Sequence, residues 1–324
     1  MNMGGLSTGI HNVWRRSGQL YSGAARIGCC VDFLWSFVRY GATPSEYFMY
    51  EFYRKSGREK KTFLTRRDYK TTYTKINTGD KSVLSDKMRF NQRMADYIGR
   101  EWLDGCSCTA EEFAAFARRH PSMIIKPPDA MQGKGVWRLD VDGTEDLEAL
   151  FAEKIKGSLV EERLAQHHAM EELAPNSVNC LRVLTLNWGD GRVDIVACSL
   201  KTGGGKLPVD NLHAGGGVGA GVDLETGLIV TPAKPWEGEP VLYHPASGVK
   251  MIGFQIPNWE IFNVKIREAA RMIPEVPLIG WDCAVTEDGI ALIEGNEEAG
   301  PVLIQYFDLV GKRPALRDYI KQKA

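Results

Sequence analysis

An α+β fold built from α/β units, with a helical N-terminal region, is what this sequence predicts, and three observations lead there. Residues 1 to about 75 read as helices rich in aromatic and basic side chains. From residue 122 the pattern changes to short apolar runs joined by Gly-bearing turns, the signature of strands and hairpins, with capped helices between them. The length, 324 residues, exceeds that at which a single core stops growing, so two or three packed units are expected.

Composition sets the outer bounds. With 44% hydrophobic and 25% charged residues the chain is that of an ordinary globular protein. A formal net charge of -1 gives no global pull toward nucleic acid or membrane. The charge is uneven, however: from Arg54 to Arg93 there are 13 Lys/Arg against four Asp/Glu. The seven cysteines have neither zinc-ribbon nor redox spacing and read as reduced thiols of a cytoplasmic protein. The longest apolar run, around Cys29 to Val38, contains Asp32 and is too short to span a bilayer, and no secretory leader is apparent.

In chain order, Pro44 and Ser45 can open a helix in which Phe48, Phe52 and Lys55 follow at helical spacing. This basic stretch is either a solvated surface over a small core or a docking face for an acidic partner such as a sugar nucleotide, a uronic acid or RNA. For RNA, the rings of Phe63, Tyr69 and Tyr73 would stack on bases. Ser85 is expected to cap a helix with Phe90, Met94 and Ile98 inward and Lys87 in its first turn. A lysine there opposes the helix dipole, a small cost that a nearby anion would reverse. Thr109 and Glu112 form a capping box for a helix that buries Phe113, Phe116 and Ala117.

Residues 122–126 read as a buried strand ending in Lys126, followed by a Gly-bearing loop with Lys134 and a returning strand, 136–141. Such a flap can wrap phosphates with its backbone N–H groups while the two lysines add point charges, although it is also a common structural hairpin. It is not a Walker loop. A strand at 158–162 follows, and then a long hairpin, 178–201, with Arg182 and Lys201 on its two strands. Basic side chains within apolar strands are costly unless an acid or anion meets them. Asn211 and the glycines from Gly215 lie in anion-friendly loops, and Asn258 is expected to cap a helix running to Ile273.

Near the C-terminus, WDCAVTEDGIALIEGN (281–296) reads as a hairpin with a three-residue loop, Glu287, Asp288 and Gly289. That register sets Thr286 against Ile290, Cys283 against Ile293 and Asp282 against Glu294. Alternation then puts Cys283, Val285, Ala291 and Ile293 on an apolar face, and Asp282, Glu294 and Asn296 on the other. Two carboxylates opposite one another repel unless something positive sits between them. Three hard oxygen donors so placed suit Mg²⁺, the alternative being a solvated strand face with incidental acids.

The order of parts is specific where each part is weak: a helix with Asp86-Lys87, a strand ending in Lys126, a Gly flap, a strand with Glu161-Glu162, an Arg182 strand, the Asn211 and Gly loops, then Asp282 and Glu294-x-Asn296. This resembles the ATP-grasp superfamily of carboxylate–amine ligases, most closely its sugar-transfer-associated branch, whose N-terminal region is similar to GATPSEYFMYEFY. The resemblance implies the ATP-grasp fold, two α/β subdomains gripping ATP, with boundaries expected at 1–83 (helical N-terminal region), 84–120 (helical part of the ATP-grasp unit), 121–160 (small subdomain with the flap) and 161–324 (large subdomain with the metal and substrate site).

By the same resemblance, Lys87 and Lys126 hold the ATP phosphates, and Gln132, Gly133, Lys134 and Gly135 form the phosphate flap. Glu161, Glu162, Arg163 and Leu164 form the adenine hinge, with Gln166, His167 and His168 as candidates for the ribose contact. Arg182 faces the transferred phosphate, with Lys126 and Lys201 beside it in catalytic positions, and Asn211 sits beside the acyl-phosphate. Asp282, Glu294 and Asn296 match the triad for one or two Mg²⁺ ions, with Mn²⁺ a possible substitute. The implied activity is ADP-forming ligation of a small-molecule carboxylate, an amino acid or a uronic acid or saccharide, to an amine through an acyl-phosphate, with no cysteine nucleophile. Two other readings are a nucleotide-binding regulator without turnover and an RNA-associated protein using the basic N-terminal region.

Overall fold

The structure, a computed structural model, describes residues 3–127, 135–175, 177–204, 212 and 216–323. It opens with two helices, α1 (Met3–Leu20) and α2 (Gly23–Tyr40), joined by a tight turn. Gly41 ends α2 in the left-handed conformation, which spares a side chain the steric cost of positive φ. The Pro44 helix starts where expected, with a reciprocal capping box from Thr43 and Glu46 and Pro in the first turn. It ends at Met49, however: Glu51 takes positive φ, which breaks the helix, so Phe52 falls in a separate 3-10 turn and Lys55 lies beyond it. Phe48, Phe52 and Phe63 are buried with Tyr47 and Tyr50 in an aromatic core of the N-terminal region. Phe63 and Tyr73 are enclosed and Tyr69 packs edge-on against Tyr73, so these rings offer no stacking platform for bases.

Four strands form an antiparallel sheet in the order β1-β4-β2-β3: β1 (Trp102–Asp104), β2 (Ser122–Lys126), β3 (Trp137–Asp140) and β4 (Leu159–Glu162). The helix Ala110–Arg119, capped by Thr109 and Glu112, lays Phe113, Phe116 and Ala117 on Met123, Ile125 and Val160 of this sheet. Six strands form the second antiparallel sheet, in the order β10-β9-β5-β6-β7-β8: β5 (Cys180–Asn187), β6 (Val193–Thr202), β7 (Val218–Gly221), β8 (Lys234–Pro235), β9 (Leu278–Thr286) and β10 (Gly289–Asn296). One face of it packs on the helix Trp259–Arg271, whose Trp259, Phe262, Ile266 and Ala269 follow at helical spacing. Each large side chain buried there contributes about 1.5–3 kcal/mol before entropy is counted. Asn258 sits at that helix's start but makes no cap bond. Its amide instead donates to the carbonyls of Thr286 and Glu287, tying the helix to the β9–β10 turn.

Three sequence expectations are corrected. Asp86, not Ser85, caps the helix Lys87–Arg93, accepting from the N–H groups of Met88 and Arg89. That helix is shorter than expected, yet Phe90, Met94 and Ile98 are all buried. The β9–β10 loop has two residues, not three: Gly289 pairs with Thr286, Ile290 with Val285 and Leu292 with Cys283. Ile290 and Leu292, not Ala291 and Ile293, therefore share the apolar face with Cys283 and Val285. A bulge at Ile293 then shifts the ladder by one, so that Glu294 still faces Asp282.

Candidate active site

The large sheet carries a row of charges across four adjacent strands. Glu294 on β10 opposes Asp282 on β9, Asp282 opposes Arg182 on β5, and Lys201 on β6 pairs with Cys180, two residues along from Arg182. Arg182 grips Asp282 with two bonds, Nε to Oδ1 at 2.6 Å and Nη2 to Oδ2 at 2.8 Å. Lys201 Nζ adds a third to Oδ2 at 3.2 Å. The strands bury both cations, and Asp282 meets them both. Burial alone would raise the Asp282 carboxyl, but Arg182 and Lys201 outweigh it and bring the group down to about 2.

Glu294 differs. It reaches solvent, and its Oε1 accepts from the Asn296 amide at 3.1 Å. Asn296 also donates to the Gly280 carbonyl on β9 at 3.3 Å, and Gly280 has no room for a side chain because Ala299 packs on it. Loss of water and the neighbouring Asp282 push the Glu294 carboxyl up. A carboxylate raised by its neighbour, next to an amide oxygen, is a donor set that fits a hard divalent cation. The oxygens of Asp282 already serve Arg182 and Lys201, so a cation sharing this residue must take a remaining lone pair or displace one of those bonds.

The small sheet faces this row with a second cluster. Glu161 on β4 is enclosed and accepts from Lys126 at 2.6 Å, Arg100 at 2.7 Å and the Asn91 amide at 3.0 Å. Burial opposes its charge, but Lys126 and Arg100 hold it well below the ordinary carboxylate range. Burial pushes the Lys126 ammonium down, while Glu161 and, more weakly, Glu294 favour its charge. The fields of the two clusters therefore overlap. Lys87 reaches the carbonyl of Pro127, the residue after Lys126, at 3.4 Å.

Arg100 was not singled out by sequence reasoning. Besides Glu161, its guanidinium binds the carbonyls of Ile98 and Leu292, both at 2.7 Å, so one side chain ties β4 to β10. Gly99, at positive φ and hard against Ala291, lets the chain pass close enough to β10 for this. Nothing local in the sequence marks either Arg100 or Asn91, because their partners are brought to them by the fold.

The remaining hinge candidates diverge. The Glu162 side chain turns to the other face of β4, onto the Glu101 N–H and His120, and the N–H groups of Glu162 and Arg163 are taken by Glu101 and Ser122. Arg163 is exposed and Leu164 half-buried. Gln166 is locked to Ser177 and Asn179. His168 binds Glu287 at the tip of the β9–β10 hairpin, Nδ1 to Oε1 at 2.8 Å, and His167 Nε2 lies 3.3 Å from Glu287 Oε2. These three residues are no metal cluster: His167 Nδ1 accepts the Ala169 N–H, which leaves the proton on Nε2 and closes that nitrogen to a cation. Gln132, Gly133, Lys134 and Asn211 lie outside the described residues, while Gly135 is described at positive φ. Cys198 and Cys283 are buried and their thiols pushed up, which suits inert packing rather than nucleophilic chemistry. A surface hollow of about 430 Å³ lined by Leu103, Asp104, Cys108 and Phe116 contains none of the residues of either cluster.

Residues 144–318, rather more than half of the chain, match the family model described as sugar-transfer associated ATP-grasp. Among solved structures the chain is similar to the ATP-grasp ligase PsnB complexed with a phosphomimetic variant of its minimal precursor, Mg and ADP, at a TM-score of 0.45 and 13% identity, covering 75% of this chain and 60% of that one. Biotin carboxylase from Campylobacter jejuni matches at 0.46 and 14% over 74% of this chain and 46% of that one. D-alanine–D-alanine ligase from Helicobacter pylori matches at 0.42 and 11% over 75% and 61%. The chain thus spans about 60% of the length of the first of these ligases. A search of curated proteins gave no match.

Proposed function

Because the chain belongs to the sugar-transfer associated ATP-grasp family, we propose that it is an ATP-dependent ligase that activates a carboxylate as an acyl-phosphate and joins it to an amine. The observation that carries this reading is the row Glu294, Asp282, Arg182 and Lys201 on four neighbouring strands, faced by Lys126 from the other sheet.

In the first step an oxygen of the substrate carboxylate attacks the γ-phosphorus of ATP and ADP leaves. In the second the amine nitrogen attacks the acyl carbon, phosphate leaves and the nitrogen gives up a proton. Phosphoryl transfer asks little covalent chemistry of the protein, so its residues position groups and neutralise charge. Asp282, Glu294 and Asn296 would hold a divalent cation, Mg²⁺ or Mn²⁺, which when bound neutralises charge on the nucleotide's phosphates. Lys126, already poorly hydrated, regains electrostatic stabilisation from a phosphate oxygen, Lys87 bonds the carbonyl of the next residue, Pro127, and residues 132–135 are assigned as the phosphate flap by family resemblance. Arg182 and Lys201, fixed in the sheet by Asp282, offer preorganised positive charge to the transferred phosphoryl group. Asn211 and the ribose contact of His168 are assigned by family resemblance. We assign the division into subdomains on the same ground.

The acid and the amine are small molecules, with amino acids, uronic acids and other saccharides first to be screened. The protein is given ATP, Mg²⁺ and pools of carboxylates and amines, and ADP release and product mass are followed. ADP and an amide product that need both partners support the ligase. A protein that binds ATP but releases no ADP with any pool is instead a nucleotide-binding regulator.

A further inference from the structure

Helix α2 is apolar on two opposite faces. Cys29, Phe33 and Ser36 point into the N-terminal core, with Asp32 turned to Lys60 and Tyr47. The opposite side presents Ala24, Ile27, Gly28, Val31, Trp35 and Val38, which share an arc of about 100°. Ile27 is 58% exposed, Val31 60%, Trp35 60% and Val38 69%. A helix that is apolar all round is normally covered on all sides, and a continuous stripe of this kind marks a contact surface.

Charge says what covers it. Residues 1–75 hold 13 Lys/Arg against five Asp/Glu, although the whole chain is at -1. Both ends of the stripe are basic. Beside Val38, Arg67 binds the carbonyls of Val38 and Arg39, Arg39 is exposed, and Tyr40 holds the Gly57–Lys60 helix, with exposed Arg58 and Lys61 at its ends. At the other end Arg26 stacks on half-exposed Trp14, 3.8 Å from its ring, next to exposed Arg15. No acid is fully exposed among the described side chains of α1 and α2, since Asp32 is half-buried under Lys60. Exposed Glu59, between Arg58 and Lys61, is folded back onto Ser56. Pairing two copies through this stripe would bring basic ends against basic ends in either direction. Tryptophan and aliphatic side chains between arginines instead match the interfacial zone of a lipid bilayer with negatively charged headgroups.

We infer that α2 docks this chain, in the plane of the interface, onto an anionic membrane surface. The stripe enters the headgroup–acyl boundary, and Arg15, Arg39, Arg58 and Lys61 meet the headgroups. The docking does not depend on the ligase reading.

The full chain is sedimented with vesicles of phosphatidylcholine alone and of phosphatidylcholine mixed with phosphatidylglycerol. It pellets with the mixed vesicles and is released by salt. Val31→Ser with Trp35→Ser, both exposed, weakens partitioning about fiftyfold at an unchanged unfolding temperature. Arg15→Gln and Arg39→Gln each weaken it about fivefold. The inference is overturned if the wild-type chain stays in the supernatant, if it binds both vesicle types equally, or if the stripe variant pellets as well as the wild type. It is also overturned if light scattering without lipid shows a dimer that the stripe variant splits, which assigns the face to a second copy.

Discussion

Two buried acids in this molecule each sit between two cations, and they do different things. Glu161 is closed off: Lys126, Arg100 and Asn91 all bond it, and Arg100 carries the connection on to β10. Asp282 is held as tightly by Arg182 and Lys201, but on its other side stands a second carboxylate, Glu294, that reaches solvent and binds its proton more readily than usual. The first cluster fixes β4 against the large sheet. The second leaves Glu294, at its exposed edge, outside any ion pair among the described residues. What separates a structural ion cluster from a candidate cation site here is the neighbour that has no cation paired to it among the described residues, not the acid at the centre.

The largest expected effect falls on that neighbour. Glu294→Gln should lower ATP turnover about a thousandfold. Its unfolding temperature should hold or rise, because the substitution removes a charge that burial and Asp282 disfavour. Turnover at the wild-type rate would remove Glu294 from the site. Asp282→Asn should also stop turnover, but it strands Arg182 and Lys201 and should cost about 4 kcal/mol in urea unfolding. It is therefore the poorer probe of catalysis. Arg100→Ala should cost about 3 kcal/mol by leaving Glu161 half-paired, and should weaken nucleotide binding by loosening β4 from β10. An unchanged nucleotide affinity in a folded variant would confine Arg100 to stability.

The smallest effect is in pH. Asp282 lies near 2 when folded against an ordinary 3.8, so its ion pairs contribute about 2 kcal/mol that is fully present above the unfolded value. That stability is lost as pH falls from about 4 toward 2, and Glu161, also held low, adds to the loss in the same direction. Glu294 works the other way, costing stability as pH rises through its raised value. Urea unfolding followed from neutral to acid pH should show the first trend weakened in Asp282→Asn.

Much of this was legible in the chain because charges interrupting apolar strands are hard to explain otherwise. Lys126, Glu161, Arg182, Lys201 and Asp282 all stand in such runs, and the structure brings them into two facing clusters. The Asp282–Glu294 pairing was expected from a loop one residue too long, and the bulge at Ile293 compensated for the difference. Bulges leave little trace in a pattern of alternation, so the pairing was right and the apolar face was not. Arg100 and Asn91 were invisible because they act through partners some 60 to 190 residues away. The Gln166 to His168 stretch offered three polar candidates, and their bonds to Asn179 and Glu287 exist only once the hinge loop meets the hairpin tip.

We propose that Asp282, Glu294 and Asn296 hold a divalent cation against a nucleotide. The most direct test is Mn²⁺ binding in the presence of a non-hydrolysable ATP analogue, read by electron paramagnetic resonance. Wild-type protein should take up the ion, and Glu294→Gln, folded as judged by its unfolding temperature, should bind it at least about tenfold more weakly. Equal Mn²⁺ affinity in the two proteins would contradict the assignment.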